Sequence, residues 1–127
     1  MICNSIPDNE LLSRFIVYKR WAPKGRIKQN AFMPDKDLTL SVTRHLNLSQ
    51  EDIWRYGRLA EGAPPRDLHG RADVNVGPVK YQGLHIEMAP TNDNPNHAHV
   101  VNWPPNKDLQ KIKAILLAKE AQFVPVP

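Results

Sequence analysis

Three short stretches of this chain switch between apolar and polar at every second residue, the period of a half-buried strand. In DLTLSVTRH, Leu38, Leu40 and Val42 alternate with Thr39, Ser41 and Thr43; in GLHIEMAP, Leu84, Ile86 and Met88 alternate with His85 and Glu87; in HAHVV, Ala98 and Val100 alternate with His97 and His99. Successive side chains leave a strand on opposite faces, so the pattern predicts an antiparallel sheet with one apolar face and one polar face. RFIVYKRW adds a further strand, broken by Trp21-Ala22-Pro23-Lys24-Gly25. RADVNVGPVKYQG is weaker: proline cannot donate to a ladder, so Gly77-Pro78 predicts only a short or edge strand there.

Two helices are signalled. Ser49 stands three before Asp52 in LSQEDIWRYGRLA, a capping-box start for a helix from Gln50 to about Ala60, with Ile53, Trp54 and Leu59 as its buried stripe. Gly57 weakens that helix by about 1 kcal/mol relative to alanine, and Gly62-Ala63-Pro64-Pro65 ends it. NKDLQKIKAILLAKEA is capped by Asn106, has Asp108 in its first turn, and carries Leu109, Ile112, Ile115 and Leu116 on one side. The tail Phe123-Val124-Pro125-Val126-Pro127 cannot continue it. The 127 residues suit one domain, and 12 prolines against 6 glycines predict short elements with stiff connections. The expected fold is a single α+β domain over residues 1–127, with an antiparallel sheet of four to five short strands and two main helices packed on one face. Residues 1–12 and 122–127 are expected to be irregular termini.

Several classes of protein are disfavoured. Cys3 is the one cysteine, so no disulfide closes within the chain and no cysteine-rich zinc module is present, which suggests a reducing, cytoplasmic setting. No stretch approaches the roughly 20 apolar residues of a membrane span, and MICNSIPDNELL lacks the pattern of a secretory signal; no membrane partner is expected. GxGxxG, GxxxxGK[ST], GxSxG and HExxH are all missing, so no cofactor is implied.

Two constellations carry possible chemistry. If the strands holding His85 and His97 pair, then His85, Glu87, His97 and His99 share the polar face, with paired Cβ atoms about 5 Å apart. Three imidazoles and a carboxylate suit a divalent transition ion; the same face also fits a solvated sheet surface, or a lone histidine working as acid or base near its ordinary pKa of about 6.5. The second constellation is YKRWAPKGRIK, where Lys19, Arg20, Lys24, Arg26 and Lys28 interleave with Tyr18 and Trp21. Cations on phosphates with a base stacked on an aromatic ring is how single strands of nucleic acid are held; a solubilising loop with Trp21 in the core fits as well. The net charge of +4 points to a polyanion or an acidic protein as partner.

Arg20-Trp21, Ala31-Phe32-Met33-Pro34, Leu40-Ser41-Val42, the helix opening Ser49 to Trp54, Gly83-Leu84, Asn94-Pro95-Asn96-His97-Ala98 and a closing Ala/Leu-rich helix together form a pattern. It resembles a group of small, uncharacterised bacterial proteins with an "AFxP…LSV" phrase and a late "NPxHA". The resemblance spans nearly the whole chain and implies no particular activity. It matches at His97, whereas an apolar residue is expected at the position of His99, so it singles out His97 rather than a histidine pair. A histidine entering a strand after a turn also fits a structural role, its ring nitrogen bonded to a carbonyl of that turn. Three readings stand: a basic binding or regulatory module; an enzyme using His97 with Arg20 or Ser41; and a metal protein using His85, Glu87, His97 and His99.

Overall fold

The computed structural model describes residues 6–60 and 67–127; Cys3 and the Gly62–Pro65 helix stop lie outside the described residues. Among these, six strands form one open sheet: β1 (Leu11–Ile16), β2 (Leu40–Arg44), β3 (Gly70–Asn75), β4 (His85–Met88), β5 (His97–Val101) and β6 (Gln122–Pro125). Their order is β4-β5-β2-β1-β3-β6, with every neighbouring pair antiparallel. The helices are α1 (Gln50–Leu59), α2 (Val76–Tyr81) and α3 (Lys107–Glu120), and three short 3-10 turns occupy the β1–β2 connection. No helix among the described residues is long and apolar enough to cross a membrane.

The alternating strands place their side chains as their pattern dictates. Leu40 and Val42 stand opposite Val100 and Ala98, and Ile86 stands opposite Val100, so all point to one face and are buried there. Leu12, Ile16, Ala72 and Val74 continue that face across β1 and β3, under Phe32, Ala114 and Leu117. Each fully buried Leu, Ile or Phe contributes about 1.5–3 kcal/mol through removal from water. Ser49 accepts from the Asp52 amide at 3.1 Å and donates its own amide to Asp52 Oδ2 at 3.3 Å, so the capping box is complete.

Six strands replace the expected four to five, because two segments read as weak or irregular pair fully. β3 lies inside the sheet, joined to β1 through all six of its residues and to β6 on its other side. Gly77-Pro78 does not interrupt a strand. Pro78 falls in the first turn of α2, where its missing N–H has no helical partner to lose. The tail expected to be irregular forms β6, and β1 already begins at Leu11. Leu38 leaves the strand pattern, its φ of 62° placing it in a turn before β2.

The helices lie on opposite faces, not on one. Phe15 projects from β1 on the same side as Ser13 and Arg71, and α1 covers it with Ile53 and Tyr56. Gly57 makes this docking possible, since a Cβ there would sit 2.9 Å from Phe15 Cε1; close packing offsets its poor helix propensity. Leu59, expected in the buried stripe of α1, is 55% exposed, and Tyr56 and Gly57 are buried instead. On the other face α3 turns Gln110, Ala114 and Leu117 inward. Four of its five large apolar residues, Leu109, Ile112, Ile115 and Leu116, are more than a third exposed.

Candidate functional site

β1 and β3 pair along their full length, but β1 and β2 pair only at Leu12–Arg44 and Ser13–Thr43. Beyond Ser13 the two strands diverge. Arg14 bridges the gap, its Nε donating to the Ala31 carbonyl at 2.8 Å and its Nη1 to the Ser41 carbonyl at 3.1 Å. An arginine thus satisfies a β2 carbonyl that a partner strand would otherwise hold, and ties it to the Gln29–Phe32 turn. Its guanidinium also lies 5.0 Å from the centre of the Trp21 ring.

The divergence leaves a cleft of about 700 Å³. Phe15, Tyr18, Trp21 and Tyr56 give it aromatic walls, while Ser41, Thr43, Asn94 and His97 bring polar groups, and Asp35 and Asp93 border it. Tyr18 and Trp21 meet edge to face at 4.8 Å. Between them in sequence, Lys19 and Arg20 are exposed, with the Arg20 guanidinium 4.5 Å from the centre of the Tyr18 ring.

The turn before β5 accounts for its asparagines. Asn94 is buried, takes a hydrogen bond on Oδ1 from the Asn96 amide at 3.0 Å, and donates Nδ2 to Thr43 Oγ1 at 2.9 Å. Asn96 Nδ2 donates to the carbonyls of Arg44 and Leu46. Both residues therefore pin the turn to β2 and its exit, and fix where His97 enters the sheet. His97 lies 2.7 Å from the Ala89 carbonyl through Nδ1, which must carry the proton because a carbonyl only accepts. The His97 ring also borders the cleft. The structural role expected of a histidine after a turn is thus filled through Nδ1.

Beside the cleft, under α1, lies a buried polar cluster. Ser13 donates to Asp73 Oδ1 at 2.6 Å, and His45 Nε2 lies 2.6 Å from the same hydroxyl, so His45 donates to it. Arg71 Nε bonds both Asp73 oxygens at 3.1 Å, its Nη2 reaches Gln50, and its guanidinium stacks over Trp54. Ser, His and Asp meet here, but not as a nucleophile and its base: Ser13 is fully buried and its proton points at the carboxylate, not at imidazole. Burial lowers the His45 pKa, and Arg71 lowers it further against the opposing pull of Asp73. Among the described residues, Arg71 Nη1 has no partner.

His97 and Ser41 share the cleft as a proposed catalytic pair would. However, Ser41 stands opposite His99 and Thr43 opposite His97, so Ser41 is only diagonal to His97 and no hydrogen bond joins them. Arg20 is not in the cleft wall; Arg14 is. His85, Glu87, His97 and His99 do share one face, with Glu87 opposite His99, but His85 stands opposite Val101, at the far end of the strand pair from His97. Among the described residues no three His, Cys, Asp or Glu side chains converge on a metal position. The basic segment divides: Lys19 and Arg20 flank the aromatic wall, whereas Arg26 and Lys28 line a separate shallow groove with Lys119, and Lys24 is exposed beside it.

Sequence reasoning missed Arg14, Tyr56 and the Thr43–Asn94 link. A charge inside the apolar run Leu11–Ile16 was a signal for the first, and Asn94 placed three before His97 for the last. Met33, Ser41, Val42, Asn94 and His97, drawn from three of the phrases that carry the resemblance, all border the cleft. No known protein family, curated protein or solved structure matches the chain.

Proposed function

We propose that this protein is a binding module for single-stranded nucleic acid, which takes one base into the β1–β2 cleft. The observation that carries this reading is the arrangement of Tyr18 and Trp21 in the cleft wall with exposed Lys19 and Arg20 between them. Stacking on an aromatic side chain contributes about 1–3 kcal/mol per base and tolerates any sequence, while the cations take the phosphates. The cleft volume is within the range of about 300–1,000 Å³ typical of ligand sites and accommodates one nucleotide unit. His97 Nε2 as acceptor and the Ser41 hydroxyl as donor would meet the edge of the base. Asp35 and Asp93 at the cleft border disfavour phosphates beside them, so the strand would run along Lys19 and Arg20. The net charge of +4 supports the same partner.

Fluorescence anisotropy with labelled oligothymidylate and oligouridylate at low salt tests the reading. Affinity falls with salt at a log–log slope of roughly −0.7 per phosphate neutralised. Replacing Lys19 and Arg20 by alanine flattens that slope, while replacing Arg26 and Lys28 leaves it nearly unchanged. Free nucleoside monophosphates bind more weakly than the oligomers, because they engage fewer cations. Absence of binding to either oligomer at low salt overturns the proposal.

A further inference from the structure

The outward face of α3 is apolar where a lone helix should be polar. Leu109, Ile112, Ile115 and Leu116 are 51%, 54%, 37% and 38% exposed, and of the four Ile115 lies at the edge of the groove lined by Arg26 and Lys28. The helix is already anchored by its other side, through Gln110, Ala114 and Leu117. Leu109, Ile112, Leu116 and Lys119 follow one another at spacings of three, four and three, the seam of a two-stranded coiled coil. Asp108 and Lys119 stand at the two ends of this stripe, close to three whole turns apart and so on one side of the helix.

We infer that this stripe is a self-association surface, on which α3 packs antiparallel against α3 of a second copy of the chain. The charges select both the occupant and its direction. With a two-fold axis passing near Ala114, Ile112 meets the partner's Leu116, and Leu109 lies on the aliphatic stem of the partner's Lys119. The ammonium of the partner's Lys119 then reaches Asp108, and symmetry repeats each contact. A parallel arrangement sets Asp108 against Asp108 and Lys119 against Lys119, which repel. Antiparallel packing also opposes the two helix dipoles favourably. A stable interface buries about 800 Å² per partner, and one helix of 14 residues, about 21 Å long, offers on the order of half that. The dimer is therefore weak and concentration-dependent.

Sedimentation velocity from micromolar to millimolar concentration reads this directly. The mass rises from one chain towards two and no further, because an isologous contact closes on itself. Ile112→Glu holds the protein monomeric throughout with an unchanged circular dichroism melt, since Ile112 is exposed in the monomer. Asp108→Lys weakens association several-fold, and adding Lys119→Asp to it restores association. A wild type that stays monomeric at millimolar concentration overturns the inference and leaves a different protein as the occupant. Association that survives Ile112→Glu, that proceeds beyond two chains, or that ignores both charge reversals overturns it as well.

Discussion

On one face of the sheet, Leu12, Leu40, Val74, Ile86 and Val100 close against Phe32 and α3 through apolar contact. On the other, Ser13, Thr43, Arg71 and Asp73 are equally buried, and what holds them is a set of directed hydrogen bonds under and beside α1. Apolar contact is non-directional and fills space, and beside α3 this face carries the shallow groove of Arg26, Lys28 and Lys119. Hydrogen bonds fix distances and angles, so the second face can keep two strands apart. Where β1 and β2 separate, Arg14 takes the Ser41 carbonyl, Asn94 holds the Thr43 hydroxyl, and a cleft persists between the strands. Phe15, Ser41, Thr43, Tyr56 and His97 of that second face line the cleft.

Substitutions on the two faces sharpen that contrast. Phe32→Ala, on the apolar face, should cost about 3–5 kcal/mol as a cavity opens, lowering the urea midpoint with little change in slope. Asp73→Ala, on the polar face, should cost about 3 kcal/mol, because it strands Ser13 and leaves the Arg71 cation buried and unpaired. Asp73→Asn, which keeps the shape and one acceptor, should recover part of that loss; equal effects from both would mean that the cluster acts by packing and not by bonding. Ser49→Ala removes the α1 cap and should cost about 1 kcal/mol, read as a drop in melting temperature.

The buried cluster should also show in the pH dependence of stability. Folding lowers the His45 pKa, chiefly through burial, so between its ordinary value of about 6.5 and its folded value the unfolded chain takes up a proton that the native protein refuses. Its contribution is complete above about pH 6.5 and is lost as the pH falls from there towards the folded pKa. Denaturation from pH 7 to 5 should show stability falling, with a shallower fall in His45→Gln. An identical slope in the variant would place the titration elsewhere.

How much of this was legible depends on whether a residue's neighbours lie near it in sequence. Alternation located β2, β4 and β5 and the shared face of His85, Glu87, His97 and His99, since each strand reports its own burial. β3 was obscured because Arg71 and Asp73 are polar yet buried, and their partners Ser13, His45 and Gln50 come from distant segments. The capping box of α1 is local and was read correctly, whereas the face on which α1 docks depends on Phe15 and Gly57 meeting. In α3 the apolar stripe suggested an inward face, but Ala114 and Leu117 join Phe32 and Ala72 in the core instead, and Gln110 satisfies the Pro104 carbonyl. His97 was visible as a histidine after a turn; that Ser41 would be its diagonal neighbour and Arg14 the cleft's arginine required the sheet order.

The smallest effect on stability should come from the cleft itself. Ser41→Ala should change it by no more than about 0.5 kcal/mol, since Ser41 is half-buried and bonds through its carbonyl. The cleft is therefore best tested by where a ligand is felt. A two-dimensional amide NMR map recorded while oligothymidylate is added at low salt should show shifts concentrated at Ser41, Thr43, Asn94 and His97 and at the Trp21 indole. Shifts confined to the Arg26, Lys28 and Lys119 groove, or none at all at saturating oligomer, would contradict the assignment of the cleft as the binding site.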